Sequence, residues 1–311
     1  MRVTHGSPAP GGGRLALTIG NFDGVHRGHQ AMLERAVSRA RALDAASAVL
    51  TFEPHPREFF APAMAPARLT RLRDKLELMA AAGIDRVHVA QFDARLAALP
   101  AERFVEDVVA RGLGAAWLLV GRDFRFGARR LGDFELLARV APRYGVEIEA
   151  MPDVSLDGER VSSSAVRSAL AAGDLGRAQH LLGRPFGMSG RVAHGEKLGR
   201  ELGFPTANIV LRRRPPVAGI FVVQAQVEGE GRWRPAVASV GRRPTVNPTA
   251  APLLEVHLLD YLGDLYRRHL KVRFLQKLRD EQKYDDVPQL RAAIAQDVEL
   301  TRIHFAMKAD A

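Results

Sequence analysis

Apolar residues along this chain follow two rhythms, and the change between them falls just after Leu182. Before it, short apolar runs of strand length at 15–19 (LALTI), 48–52, 86–89, 116–120 and 147–150 alternate with longer stretches rich in helix formers at 31–45, 69–82, 101–111, 134–144 and 163–172. Such alternation predicts an α/β domain, a parallel sheet with helices on both faces that receives ligands at the C-terminal ends of its strands. Residues 1–13 are rich in Gly and Pro and are predicted to be disordered.

After Leu182, Gly183-Arg184-Pro185 interrupts the helical pattern. Strand-like runs follow at 217–227, 233–240, 253–260 and 270–275, with Gly and Pro in the turns, and a helical segment covers 288–305 with Pro288 suited to its first turn. This half predicts a closed antiparallel β-barrel carrying a terminal helix. The expected domains are 14–182 and 183–311.

Composition narrows the function classes. The 311 residues suffice for two cores, and 47% hydrophobic with 26% charged residues is ordinary for a soluble globular protein. The absence of cysteine excludes a disulfide framework, a thiolate metal site and a cysteine nucleophile. The opening MRVTHGSPAPGGGR has no apolar signal-peptide core, and no apolar run is long enough to cross a bilayer, so a cytoplasmic enzyme without a membrane partner is expected. The net charge of +10 lies mainly after Leu182, where 21 Lys+Arg face 14 Asp+Glu, against 24 and 21 before it. Arg212, Arg213 and Arg214 read as a solvated loop, and few aromatics lie among the charges. A basic bias of this kind suits anionic nucleotides, and nucleic acid is not the expected partner.

The candidate chemistry lies mainly in stretches that follow strands. GNFDGVHRGHQ (20–30) turns from the first strand into the first helix through Gly24 and Gly28, which aims backbone N–H groups and the positive end of a helix dipole at an anion such as phosphate. His26 and His29, three apart, share one face of the first helical turn, with Gly28 presenting no side chain between them. Both imidazoles can donate to one triphosphate, as phosphoryl and nucleotidyl transfer require; paired capping histidines are the plainer alternative. TFEPHP (51–56) holds His55 in extended backbone between prolines, and GRDFRFG (121–127) sets Asp123 beside Phe124 and Phe126; either also serves simply as a loop plug. VSSSAVR (161–167) supplies serine caps and free N–H groups at a helix start, with Arg167 one turn beyond Ser163 and Ser164, a site for a leaving pyrophosphate or an ordinary N-cap.

In the second half, GRVAHGEKLGRELGFPTAN (190–208) carries Gly190, Gly195 and Gly199 in a loop able to wrap phosphates. It ends in an extended segment where Thr206 and Asn208 point the same way and offer hard oxygen ligands to Mg²⁺. In LLEVHLLD (253–260), Glu255 and His257 face one side and Leu254, Val256 and Leu258 the other. A carboxylate on the ligand side of such a strand can accept the proton of an attacking alcohol.

Taken together, GNFDGVHRGH, VSSSAVR, LGFPTAN and LLEVHLLD resemble the motifs of the HxGH nucleotidyltransferases and, more narrowly, of the bacterial bifunctional riboflavin kinase/FAD synthetase family, in family order over about residues 15–305. The resemblance implies a Rossmann-like nucleotidyltransferase domain followed by a riboflavin kinase barrel. It implies riboflavin, FMN and ATP as substrates, with Mg²⁺. It places Gly20, Phe22, Asp23, Gly24 and Gly28 at a nucleotide with His26 and His29 catalytic, and Ser163, Ser164 and Arg167 on its β- and γ-phosphates. His55, Asp123, Phe124, Phe126 and Arg279 would contact flavin, Thr206 and Asn208 would bind the metal, and Glu255 would be the base for the ribityl 5′-hydroxyl. Two positions depart from many relatives: Ser239 replaces Asn, and Arg267, after GDLY, replaces Gly. The rival readings are a transferase with one active half and a basic nucleic-acid-binding regulator that senses flavin.

Overall fold

The run LALTI folds as a strand with every residue buried, as a central strand covered on both faces must be. The structure, a computed structural model, describes residues 1–8, 13–195, 198–241 and 251–309. Its contacts divide the chain into two units, Met1–Pro66 with Lys75–Ser162, and Ala67–Asp74 with Ser163–Ala311.

In the first unit six strands, β1 (Arg2–His5), β2 (Leu15–Ile19), β3 (Ala46–Glu53), β4 (Arg86–Gln91), β5 (Ala115–Gly121) and β6 (Glu147–Met151), form one sheet in the order β1-β4-β3-β2-β5-β6. All its pairings are parallel. Between them run α1 (Arg27–Ala42), α2 (Pro56–Phe60), α3 (Leu72–Ala81), α4 (Ala94–Ala97), α5 (Ala101–Arg103) and α6 (Phe134–Val140), while β7 (Ser155–Leu156) and β8 (Glu159–Arg160) form a small hairpin. Alternate residues of β2 serve opposite faces: Leu15, Leu17 and Ile19 join a core with Phe104, Val105, Leu118 and Leu137, whereas Ala16 packs with Ala36, Ala40, Trp117 and Leu119. The strand order reverses beside β2, the position where sheets of this type bind ligands.

The strands predicted before Leu182 all form, with ends shifted by at most two residues. Three helical predictions need correction: α1 begins at Arg27 rather than 31, α3 begins at Leu72, and α5 continues as a π-helical segment over Phe104–Gly112. Residues 9–12 lie outside the described residues, and the expected disorder of residues 1–13 is corrected for residues 2–5, because RVTH pairs with β4 as an edge strand. Its anchor is His88, buried on β4, with Nδ1 2.8 Å from the Thr4 hydroxyl and Nε2 2.9 Å from the Gly6 carbonyl. The Gly- and Pro-rich composition starts only at Gly6, so averaging over the whole segment hid a short β-former run.

The second unit is built on an antiparallel six-stranded barrel: β9 (Gly187–Arg191), β10 (Ala207–Val210), β11 (Gly219–Val227), β12 (Arg234–Gly241), β13 (Leu253–Leu258) and β14 (His269–Arg279), in the order β10-β13-β12-β11-β14-β9. A bridge between Ala193 and Asn208 nearly closes it. Phe221 and Phe274 meet edge-on inside, 5.2 Å between centroids. Helices α7 (Ser163–Ala171) and α8 (Leu175–Leu182) precede the barrel, α9 (Leu198–Glu201) lies within its first loop, and α10 (Val287–Ala309) ends the unit. Arg279 ties α10 to β14 through Asp297, Nε at 3.0 Å and Nη2 at 2.6 Å. Segment Ala67–Asp74 belongs here too: Arg71 donates to the Val210 carbonyl at 3.2 Å, and Asp74 accepts from the Ser189 hydroxyl at 2.5 Å. Arg267, where the family resemblance leads one to expect Gly, has φ +64, a conformation that favours glycine. The strands β9 and β10 were not among those predicted; the first carries two glycines and the second is only four residues long.

Burial holds the His88 imidazole below its ordinary value, the Gly6 carbonyl opposing this and His5 adding to it. A histidine depressed in the folded state stabilises above its unfolded pKa and loses that contribution as pH falls through the folded one. Amide exchange of Val3–His5 should therefore accelerate as pH is lowered from about 6.5, after correction for intrinsic exchange, and His88→Gln should remove that pH dependence.

Candidate functional site

The turn after β2 leaves ordinary backbone space three times: Phe22 has φ +48, Gly24 +90 and Val25 +41. Glycine takes such angles freely, but at Phe22 and at a β-branched valine each costs about 1–3 kcal/mol and persists only where its surroundings impose it. Phe22 is fully buried, its ring against the bare Cα of Gly20, where a Cβ would lie 3.2 Å away. Val25 and Asp23 are buried as well, and the Val25 carbonyl accepts from Gln30 Nε2 at 2.9 Å. Two residues reach the turn from beneath, Lys75 from outside any motif and Thr51 from the first position of TFEPHP. The ammonium of Lys75, on α3, donates to the Asn21 carbonyl at 2.6 Å, and the Thr51 hydroxyl, on β3, donates to the same oxygen at 3.3 Å.

His26 is the N-cap of α1, its Nδ1 accepting from the His29 backbone N–H at 3.3 Å. The two imidazoles stack, 3.6 Å between centroids and 17° between planes, and Phe22 lies 5.0 Å from His29 on the other side. Gly28 is needed for closeness: a Cβ there would meet the His26 ring at 3.3 Å and the Val161 carbonyl at 3.6 Å. The paired imidazoles, the start of a sixteen-residue helix and the end of a central strand thus share one place.

The other predicted residues of the first half are more constrained. His55 is extended, as expected, and caps α2 by accepting from the Arg57 N–H, while its own N–H donates to the Glu58 carboxylate at 3.1 Å. Asp123 is paired with Arg160 at 2.8 Å. Phe126 is a core residue, stacked 5.4 Å from half-buried Phe124 and tilted against Phe104. A cleft of about 230 Å³ opens at the ends of β3 and β4 between Phe52, Gln91, Asp93, Phe104 and Val108. Ser163 and Ser164 are the first residues of α7, and Arg167 donates to the Ala67 carbonyl at 2.7 Å.

In the barrel, register does the assembling. Asn208 on β10 and Ser239 on β12 both lie opposite Glu255 on β13, and directly opposed residues share a face. Asn208 is buried, and among the described residues its Oδ1 has no hydrogen-bond partner. Glu255 and His257 are half-buried while Leu254, Val256 and Leu258 are buried, the expected alternation. The glycines serve close packing: a Cβ at Gly195 would lie 2.4 Å from the Asn208 amide nitrogen, one at Gly199 2.6 Å from the Phe204 carbonyl and 3.3 Å from the Thr206 hydroxyl, and one at Gly190 2.4 Å from Ile209. The Arg279 guanidinium is committed to Asp297, which holds it above its ordinary value. Residues 242–250, which follow Ser239 at the end of β12, lie outside the described residues.

Residues 12–165 match the FAD synthetase family and residues 182–305 the riboflavin kinase family. The chain is 51% identical to the bifunctional riboflavin kinase/FMN adenylyltransferase of Pseudomonas fluorescens over 92% of its own length and 91% of the relative's. It belongs to the bifunctional riboflavin kinase/FMN adenylyltransferase family. The Escherichia coli K12 member is 49% identical, with 96% and 95% of the two chains covered. Among solved structures, one described as a macrolide-efflux protein from Streptococcus pneumoniae covers 97% of this chain and 99% of its own at a TM-score of 0.80 and 27% identity. Among the described residues no helix is long and apolar enough to cross a membrane.

Membership of this family gives the Gly195 contact a readout. Gly195→Ala must displace the Asn208 amide, and it should lower riboflavin phosphorylation at least about tenfold while FMN adenylylation in the same preparation stays within twofold.

Proposed function

We propose that the two reactions of the family, phosphorylation of riboflavin by ATP to FMN and adenylylation of FMN by a second ATP to FAD and pyrophosphate, are performed in this chain by separate sets of side chains, in domains 14–182 and 183–311. The matched spans, 12–165 and 182–305, support that division. An ATP-dependent pair of reactions on a vitamin suits the cytoplasm, where ATP is made and used.

For adenylyl transfer, a phosphate oxygen of FMN attacks the α-phosphorus of ATP and the bond to the β,γ-pyrophosphate breaks. His26 and His29 donate to the oxygens on which charge accumulates, aided by the N–H groups at the start of α1. Gly20, Phe22, Asp23, Gly24 and Gly28 shape the turn that receives the nucleotide. Ser163, Ser164 and Arg167 are assigned to the departing phosphates, as hydroxyls and N–H groups of a helix start with a cation one turn on. For the flavin we assign His55, Asp123, Phe124 and Phe126, the buried Phe126 supporting the half-buried Phe124.

For riboflavin phosphorylation, Glu255 takes the proton of the ribityl 5′-hydroxyl as its oxygen attacks the γ-phosphorus and ADP departs. The observation that carries this is the buried Oδ1 of Asn208, which has no hydrogen-bond partner among the described residues, on the face of Glu255. An orphaned hard oxygen beside Thr206 fits Mg²⁺. Among the described residues no group of three or more His, Asp or Glu side chains could hold a metal by itself, so the nucleotide phosphates would complete its coordination. The ion would screen phosphate charge. Gly190, Gly195 and Gly199 set the loop against Thr206 and Asn208, and Arg279 orders the flavin side from its clamp on Asp297.

His29→Ala should abolish FAD formation, by at least about 10²-fold, and leave FMN production near normal. Glu255→Ala should do the reverse and still adenylate supplied FMN. Chromatography of products from riboflavin or FMN with ATP and Mg²⁺ separates the cases; equal loss of both products in either variant overturns separate sites.

A further inference from the structure

Lys75 is a lysine at a position that a helix of this kind reserves for its core. It and Met79 are the buried residues of α3, four apart on one face, and Lys75 is only 4% exposed. Its ammonium is 2.6 Å from the Asn21 carbonyl and 3.5 Å from the Thr51 hydroxyl, and that hydroxyl, fully buried, donates to the same carbonyl. Asn21 is the residue from which the backbone enters the left-handed region at Phe22. From Phe22 the packing passes through its ring to His29 and then to the stacked His26.

We propose that Lys75 is a positioning residue for adenylyl transfer, its buried ammonium holding the Asn21 carbonyl so that the turn keeps Phe22 beneath His29 and the imidazole pair in register with the α-phosphate. This rests on the assignment of His26 and His29 to that reaction. An ammonium is well suited to this role. It brings three N–H donors, so one carbonyl and one hydroxyl are both within its capacity, and its charge strengthens the bond to the carbonyl. A carbonyl held from beneath by a cation and a hydroxyl cannot rotate to relieve the positive φ at Phe22. Asn21 and Lys75 also belong to one compact unit with the histidines, so the effect needs nothing from the kinase residues.

The test measures kcat and KM for FMN adenylylation in the full-length protein, with riboflavin phosphorylation on the same preparations as the control for folded enzyme. Lys75→Met, which keeps an unbranched side chain and removes the donors, should lower kcat for FAD formation by about 10²-fold, the scale of a misplaced catalytic group. The KM values for ATP and FMN should stay within threefold and riboflavin phosphorylation within twofold. Lys75→Arg, which keeps the charge, should restore part of kcat. A kcat unchanged in Lys75→Met, or a loss confined to KM or to the thermal transition, overturns the proposal. If Lys75→Met does not fold, Thr51→Val decides: a drop of about tenfold in kcat at constant KM supports it, and an unchanged rate overturns it. His29→Ala run alongside separates the two levels. Active His29→Ala overturns the site reading and this proposal with it, whereas inactive His29→Ala beside active Lys75→Met overturns the proposal alone.

Discussion

A backbone driven through the left-handed region at Phe22 and Val25 does not hold that shape by itself. Everything around the histidine turn follows from the need to impose it. Phe22 is sealed in the interior against Gly20, the Val25 carbonyl is tied to Gln30, and the Asn21 carbonyl is pinned from α3 and β3. The result is that two imidazoles, which in a relaxed turn would sample many rotamers, are stacked at one distance. Ordering of this kind before substrate arrives is the main contribution a protein makes to nucleotidyl transfer, where the nucleophile and leaving group belong to the substrates.

The barrel reaches the same end by other means. No residue in the row Asn208, Glu255, Ser239 has a positive φ; what holds them together is antiparallel register, which puts opposed residues on one face without strain. The demand appears instead as lost side-chain volume, at Gly195 against the Asn208 amide and at Gly199 against Thr206. Glycines that look in the sequence like a flexible phosphate-wrapping loop are therefore also contact positions, where a loop is drawn close against the Asn208 amide and the Thr206 hydroxyl.

Much of the architecture was legible because the relevant signals are local. LALTI, flanked by a turn and a helical stretch, can only be a strand buried on both faces, and the period of two in LLEVHLLD states which residues share Glu255's side. The motifs were legible for the same reason. Interactions spanning many residues were not. RVTH pairs with a strand more than eighty residues away through His88, and nothing within residues 1–13 announces that partner. Arg279 pairs with Asp297 on the terminal helix, a contact that nothing near either residue in the sequence announces. GMSGR scores poorly as a strand and becomes one because β14 supplies its partner.

Lys75 shows where the line falls. Strand order brings β3, β4 and the end of β2 together, and alternation along the chain says that a parallel sheet exists but not which strands adjoin. The one local sign was a lysine four residues before Met79, on the helix face that the period of 3.6 assigns to the core. A charged residue at such a position is a contradiction at the level of pattern, and contradictions of that kind concentrate where a fold has been bent to serve a function. Here the buried cation lies under the turn that leaves the sheet domain's central strand with positive φ at Phe22 and Val25. The departure from pattern and the departure from relaxed backbone are thus two ends of one interaction.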